Sequence, residues 1–118
     1  MYIRDIAQLL EADIKSGETL LDSEVLMACG SDMMSEVLAY VHDQGVLLTG
    51  LVNEQIIRTA AMMNMSCVVM VRGKQPTESM IEMAEENDIA LLTTEKTMYD
   101  ACGRLYIHGL NREGKSYV

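Results

Sequence analysis

The sequence predicts one α/β domain, a three-layer α/β/α sandwich around a mostly parallel sheet of about five strands. Three observations carry this. Short, nearly unbroken apolar runs with β-branched residues recur at 46–49, 67–71 and 90–93, as strands buried on both faces of a parallel sheet require. Segments of helical periodicity separate them, as βαβ crossovers demand. The 118 residues, 49% hydrophobic and 23% charged, suffice for one core and sit near the globular average.

From the start of the chain, Ile3, Ile6, Ala7 and Leu10 recur at helical spacing, so residues 3–11 read as a short amphipathic helix. Residues 12–15 and 24–29 read as extended, separated by turn-forming Ser16-Gly17-Glu18 and Asp22-Ser23. Helical patterns then fall near 32–43, 53–64, 77–87 and 97–108. In the third of these, Met80, Ile81, Met83 and Ala84 form one face, while Glu78, Glu82, Glu85 and Glu86 form the other. Ser31 or Asp32, Asn53, Thr77 and Thr97 supply N-cap side chains, and Thr97 to Asp100 resembles a capping box. The domain is expected over residues 1–110, with 111–118 a frayed polar tail.

Charge and composition exclude several function classes. A net charge of −9, with nine scattered basic residues, opposes nucleic acid, whose phosphates need clustered Lys and Arg. The same acidity gives little attraction to anionic lipid. No apolar run is long enough to span a bilayer. Arg4 and Asp5 interrupt the N-terminal apolar pattern, unlike a signal peptide, so a cytoplasmic location is expected. Cys29, Cys67 and Cys102 are odd in number, widely spaced and without a nearby His at ligand spacing. They read as small buried hydrophobes, with no metal site and no cofactor.

Two segments could carry chemistry. Residues 109–116 match G-x-x-x-x-G-K-[ST], a phosphate-loop pattern. That motif works between a buried strand and a following helix, whose N-terminus aims N–H groups at phosphate. Here a predicted helix precedes Gly109 and only Tyr117 and Val118 follow Ser116, so the match is set aside. The second candidate follows from topology, because ligands of open α/β sheets bind beyond the carboxyl ends of the strands. Those ends gather Ser31, Asp32, Thr49, Gly50, Arg72, Gly73, Lys74 and Thr93. Hydroxyls and helix starts beside Arg72 and Lys74 suit an anionic or nucleotide-like ligand, although the same residues also serve as turns and caps.

Catalytic pairs are poorly supplied. His42 beside Asp43 and His108 near the chain end read as surface histidines with no paired nucleophile. Glu85-Glu86 reads as a solvated face. Eleven methionines are numerous for a chain with no Phe or Trp. Most fit core gaps, but Met33-Met34 and Met62-Met63 cannot all face one core, so some are expected at a subunit or partner interface.

With the elements placed, the chain resembles a small stand-alone DRTGG-domain protein. Three stretches carry the likeness: residues 16–25, the Gly30-Ser31-Asp32 turn with the apolar positions that follow to Leu38, and 48–105 with its Leu48-Thr49-Gly50, Arg72-Gly73-Lys74 and Leu92-Thr93-Thr94 junctions. The Asp-Arg-Thr-Gly-Gly string itself is absent, and Arg72-Gly73-Lys74 stands where relatives often show Thr-Gly-Gly. The resemblance implies a domain similar to the N-terminal domain of HPr kinase/phosphorylase. It also implies a role like that of the copies appended to phosphotransacetylases and CBS-type pyrophosphatases, which look like regulatory and dimerising parts.

The sequence therefore reads as a non-catalytic, homodimeric regulatory module sensing a small anionic, nucleotide-like metabolite at the strand ends. One alternative is a protein-interaction subunit with no small ligand. The other is a nucleotide-using enzyme acting through residues 109–116.

Overall fold

A computed structural model describes residues 1–41 and 44–118. The order is α1 (Ile3–Leu9), β1 (Asp13–Ser16), a 3-10 turn (Glu18–Leu20), β2 (Met27–Gly30), α2 (Met34–Tyr40), β3 (Gly45–Thr49), α3 (Glu54–Met62), β4 (Cys67–Met70), α4 (Glu78–Glu86), β5 (Ala90–Thr93) and α5 (Met98–Ile107). His42 and Asp43 lie outside the described residues.

The strands form one sheet in the order β1-β5-β4-β3-β2. β2 to β5 are parallel neighbours, and β1 closes the far edge antiparallel to β5. This is the predicted three-layer sandwich. Side-chain alternation divides the core in two. Val46, Leu48, Cys67, Val69, Ala90 and Leu92 pack with Ile3 and Ile6 of α1 and Ala101 and Leu105 of α5. Leu47, Val68, Met70 and Leu91 pack with Val37 of α2, Ile56 and Ile57 of α3, and Met80 of α4. Two helices thus cover one face and three the other. Each fully buried Leu or Ile contributes roughly 1.5–3 kcal/mol of transfer free energy.

Local chemistry sets the helix starts. The Asn53 side chain accepts from Ile56 N–H at 3.2 Å, Thr77 from Met80 N–H at 3.1 Å and Thr97 from Asp100 N–H at 3.2 Å. α2 departs from expectation: its N-cap is Met33, with no side-chain cap bond. The Ser31 hydroxyl instead accepts from Met33 N–H at 2.9 Å, stabilising the turn one step earlier. Among the described residues, Glu11, Gln44, Asn64 and Asp88 take the left-handed conformation after helices.

Surplus methionine is mostly core: Met65, Met70 and Met80 are buried, Met34 and Met63 half-buried, and Met33 and Met62 exposed. The tail also corrects an expectation, because it is folded back rather than frayed. His108 bridges Ser116, Tyr117 N–H donates to Ile107 O at 2.7 Å, and the Tyr106 and Tyr117 rings stack with centroids 6.1 Å apart. Asn111 organises this closure. Its Nδ2 donates to Tyr106 O and Lys115 O, and its Oδ1 accepts from Glu113 and Lys115 N–H.

Candidate functional site

The parallel strands end side by side, and an ordered network links the loops beyond β2, β3 and β4. Ser31 N–H donates to Leu48 O at 3.0 Å, anchoring the end of β2 on β3. The Ser31 hydroxyl donates to the Glu36 carboxylate at 3.1 Å. Asp32 Oδ1 accepts from the Thr49 hydroxyl at 2.9 Å and from Gly50 N–H at 2.8 Å. The fully buried Thr49 hydroxyl also accepts from Leu51 N–H. Asp32 is thus the hub of a network that neutral side chains could not build as strongly, since bonds to a carboxylate are charge-assisted.

Arg72 follows β4 and sits over β3. Its φ of +59° is left-handed without a helix end to account for it, and its N–H donates to Lys96 O at 2.8 Å. Such a conformation costs of order 1–3 kcal/mol for a residue with a Cβ. The guanidinium lies against bare Gly50 backbone: a Cβ there would stand 2.5 Å from Arg72 Nη2. At Gly73 (φ +69°) a Cβ would stand 2.6 Å from Glu95 Oε2. Gly73 N–H donates to Thr94 O at 2.9 Å.

Beyond β5, the Thr94 hydroxyl donates to Leu10 O at 2.7 Å and accepts from Lys96 N–H. Lys96 Nζ reaches Glu11 at 3.0 Å. That hydrogen bond, together with the lysine charge, holds the Glu11 carboxyl below its ordinary range. Lys96 is therefore committed, whereas Arg72 and Lys74 have no ion-pair partner among the described residues. Both are exposed.

The eight sequence-predicted residues divide accordingly. Asp32, Thr49, Gly50 and Arg72 come together, with Ser31 one step outside them. Gly73 joins the β5 junction, and Lys74 is exposed beside it. Thr93 is 3% exposed and pairs in register with Met70 and Asp13, away from the Asp32 hub. Thr94 was placed at the Leu92-Thr93-Thr94 junction but not among the candidate ligand residues, and Glu95 and Lys96 were not foreseen. The hydroxyl that ties this junction belongs to the second threonine of Thr93-Thr94, one residue past the buried run.

The topology limits the depth of the site. β2, β3, β4 and β5 stand in sequence order with α2, α3 and α4 on one face. Their connections never reverse direction, and it is such a reversal that opens a crevice in doubly wound sheets. A concavity of about 620 Å³ lies elsewhere, beside β2. The phosphate-loop match has a helix before it, as predicted, and the N–H groups of Glu113 and Lys115 already serve Asn111.

The thiols are held in their protonated form. Burial pushes Cys67 up to about 12. Burial, then the Glu36 charge, raises Cys29, and burial, then Cys29, raises Cys102. Cys29 packs on the α2–α4 side and Cys102 on the α1–α5 side. Among the described residues no group of three His, Cys, Asp or Glu side chains is placed to hold a metal. No described helix is long and apolar enough to cross a membrane.

Comparison with known proteins agrees with this architecture. A solved structure of the CBS and DRTGG domains of the regulatory region of Clostridium perfringens pyrophosphatase, complexed with its activator diadenosine tetraphosphate, superposes with a TM-score of 0.69 at 17% identity. The match covers 86% of this chain and 44% of that one, so this chain spans less than half of the regulatory region it resembles. No curated protein matches the chain. The DRTGG-domain family model matches residues 5–106. This chain belongs to the DRTGG-domain family.

Proposed function

We propose that the chain is a non-catalytic, cytoplasmic regulatory module that senses a small anionic, nucleotide-like metabolite at the strand carboxyl ends and works as a homodimer. The observation that carries the ligand reading is Arg72. It is an exposed guanidinium without an ion-pair partner among the described residues, held on strained backbone against Gly50 and beside the Asp32 hub. Strain of this kind persists where surrounding structure fixes it, and it gathers at binding sites. A guanidinium offers a planar fork of donors matched to phosphate oxygens, and Lys74 adds a second point charge. Asp32 spends one oxygen on Thr49 and Gly50, leaving Oδ2 to accept from a ligand hydroxyl. The activator held by the Clostridium perfringens regulatory region is a dinucleotide polyphosphate, which supports this ligand class.

The test is a thermal-shift screen of ATP, GTP and diadenosine tetraphosphate on the wild type and on Arg72→Ala/Lys74→Ala. A ligand at about one hundred times its Kd adds roughly 2.7 kcal/mol. A shift in the wild type that disappears in the double variant supports the reading, and an equal shift in both overturns it. A second reading, a protein-interaction subunit without a small ligand, is favoured by exposed tyrosines: all five lie on the surface.

A further inference from the structure

The loops beyond the parallel strands do not share their charges evenly. Residues 31–34 after β2 and 49–53 after β3 hold no Lys or Arg, whereas residues 72–77 after β4 hold both Arg72 and Lys74. Carboxylates stand on either side of that cationic loop. Asp32 sits at the Gly50 amide on one side, and Glu95 lies against Gly73 on the other. A polyphosphate is therefore confined to the β4 loop, because at either flank it meets a like charge. The uncharged part of a ligand must lie to one side of it.

The exposed apolar side chains of these loops fall on the β2 and β3 side. Met33, one residue from Asp32, is 58% exposed, and Val52, two residues from Gly50, is 40% exposed. The 2.8 Å bond from Gly50 N–H to Asp32 Oδ1 holds their two loops together. Past β5 the positions are Thr94, Glu95 and Lys96, with no apolar side chain. Met33 also has no account within the fold. It occupies the N-cap of α2, where Ser, Thr, Asp or Asn would accept a helix amide, and it makes no cap bond. The Ser31 hydroxyl accepts from its N–H at 2.9 Å, so the turn is fixed while the side chain stays in water. A residue that breaks a local rule with no internal gain marks a functional position. Val52 precedes the Asn53 cap, where an apolar side chain can staple onto Ile57, yet it too is left exposed.

We propose that Met33 and Val52 form an apolar shelf for the base of a nucleoside polyphosphate whose phosphates lie at Arg72 and Lys74. The inference deepens the ligand part of the proposed function and rests on it. Neighbouring strands lie about 4.8 Å apart, which sets the β2 and β4 loops about 10 Å from each other, a distance a nucleoside spans. Asp32 reaches across to Gly50 between the two ends, and its Oδ2 accepts from a ribose hydroxyl. The carboxylate thus acts twice: it takes the sugar and turns the phosphates away. The base covers the Met33 thioether and the Val52 methyls, removing apolar surface from water, and methionine adapts its shape to a flat ring.

Calorimetric titration of the full chain with ATP and with inorganic tripolyphosphate tests this. The proteins are the wild type, Met33→Ser/Val52→Ser and Arg72→Ala/Lys74→Ala. Serine is a favoured N-cap, so its introduction at position 33 does not weaken α2, and thermal melts check that each variant folds. The wild type should bind ATP at least about fivefold more tightly than tripolyphosphate, a factor that covering roughly 40 Å² of apolar surface supplies. The serine variant should bind the two alike, with tripolyphosphate affinity unchanged. Methyl signals of Met33 and Val52 in a ¹H–¹³C spectrum of the wild type give an independent reading, and should move with ATP but not with tripolyphosphate. A wild type with no preference for ATP, or a preference that survives in the serine variant, overturns the shelf while leaving the anion site intact. Binding of neither probe, or binding unchanged in Arg72→Ala/Lys74→Ala, overturns the anion site and the shelf with it.

Discussion

The Asp32 carboxylate and the Thr49 hydroxyl meet at 2.9 Å, joining an exposed loop residue to a fully buried one. The first prediction follows from that asymmetry. Asp32→Ala removes the acceptor of a buried hydroxyl and of Gly50 N–H, which costs about 1–3 kcal/mol. For a domain of this size a thermal melt should show the midpoint fall by several degrees. Thr49→Val, which removes the donor and keeps the shape, should lower it less.

Gly50→Ala separates stability from binding. The new Cβ meets the far end of the Arg72 side chain at 2.5 Å rather than any backbone. The guanidinium can swing away, so the melting midpoint should change little while affinity for ATP or diadenosine tetraphosphate falls several-fold by calorimetric titration. A large loss of stability would contradict the flexible contact described here.

Arg72→Gly tests whether the strain is real. The left-handed φ of +59° costs a side-chain residue about 1–2 kcal/mol. Glycine removes that cost but adds backbone entropy to the unfolded chain, about 0.5–1 kcal/mol. The variant should be as stable as the wild type or up to about 1 kcal/mol more stable, measured by urea titration, yet bind no anion.

Cys67 gives a pH signature. Its folded pKa is raised to about 12 by burial, so the unfolded thiol ionises first as pH climbs. The folded state then holds the extra proton, and stability falls between the ordinary thiol range and about pH 12. Cys67→Val should flatten that part of the stability profile. In the folded wild type Cys67 should react with a thiol reagent only as fast as the domain opens.

Most of the fold was legible because burial patterns leave direct traces. The runs at 46–49, 67–71 and 90–93 became β3, β4 and β5 within a residue, since strands covered on both faces admit few polar side chains. Asn53, Thr77 and Thr97 cap as expected, because a side-chain oxygen three residues before an amide acts locally. Ser31 was harder: its hydroxyl serves a turn rather than the helix, and composition does not distinguish the two. The site was half legible. Asp32, Thr49, Gly50 and Arg72 meet because parallel strands end together, which topology alone predicts. The roles of Thr94 and Lys96 were missed because their partners, Leu10 and Glu11, are more than 80 residues away and reach them only through the antiparallel placement of β1. The tail misled for the opposite reason: its polar composition conceals the single residue, Asn111, that ties it down.

The most direct test of anion sensing at Arg72 is a map of backbone amide shifts in a ¹H–¹⁵N spectrum as diadenosine tetraphosphate is added. The account predicts saturable shifts centred on Asp32, Gly50, Gly73 and Lys74, absent in Arg72→Ala/Lys74→Ala. Shifts confined to residues 109–116 or to the β2 groove, or no shifts at all, would contradict it.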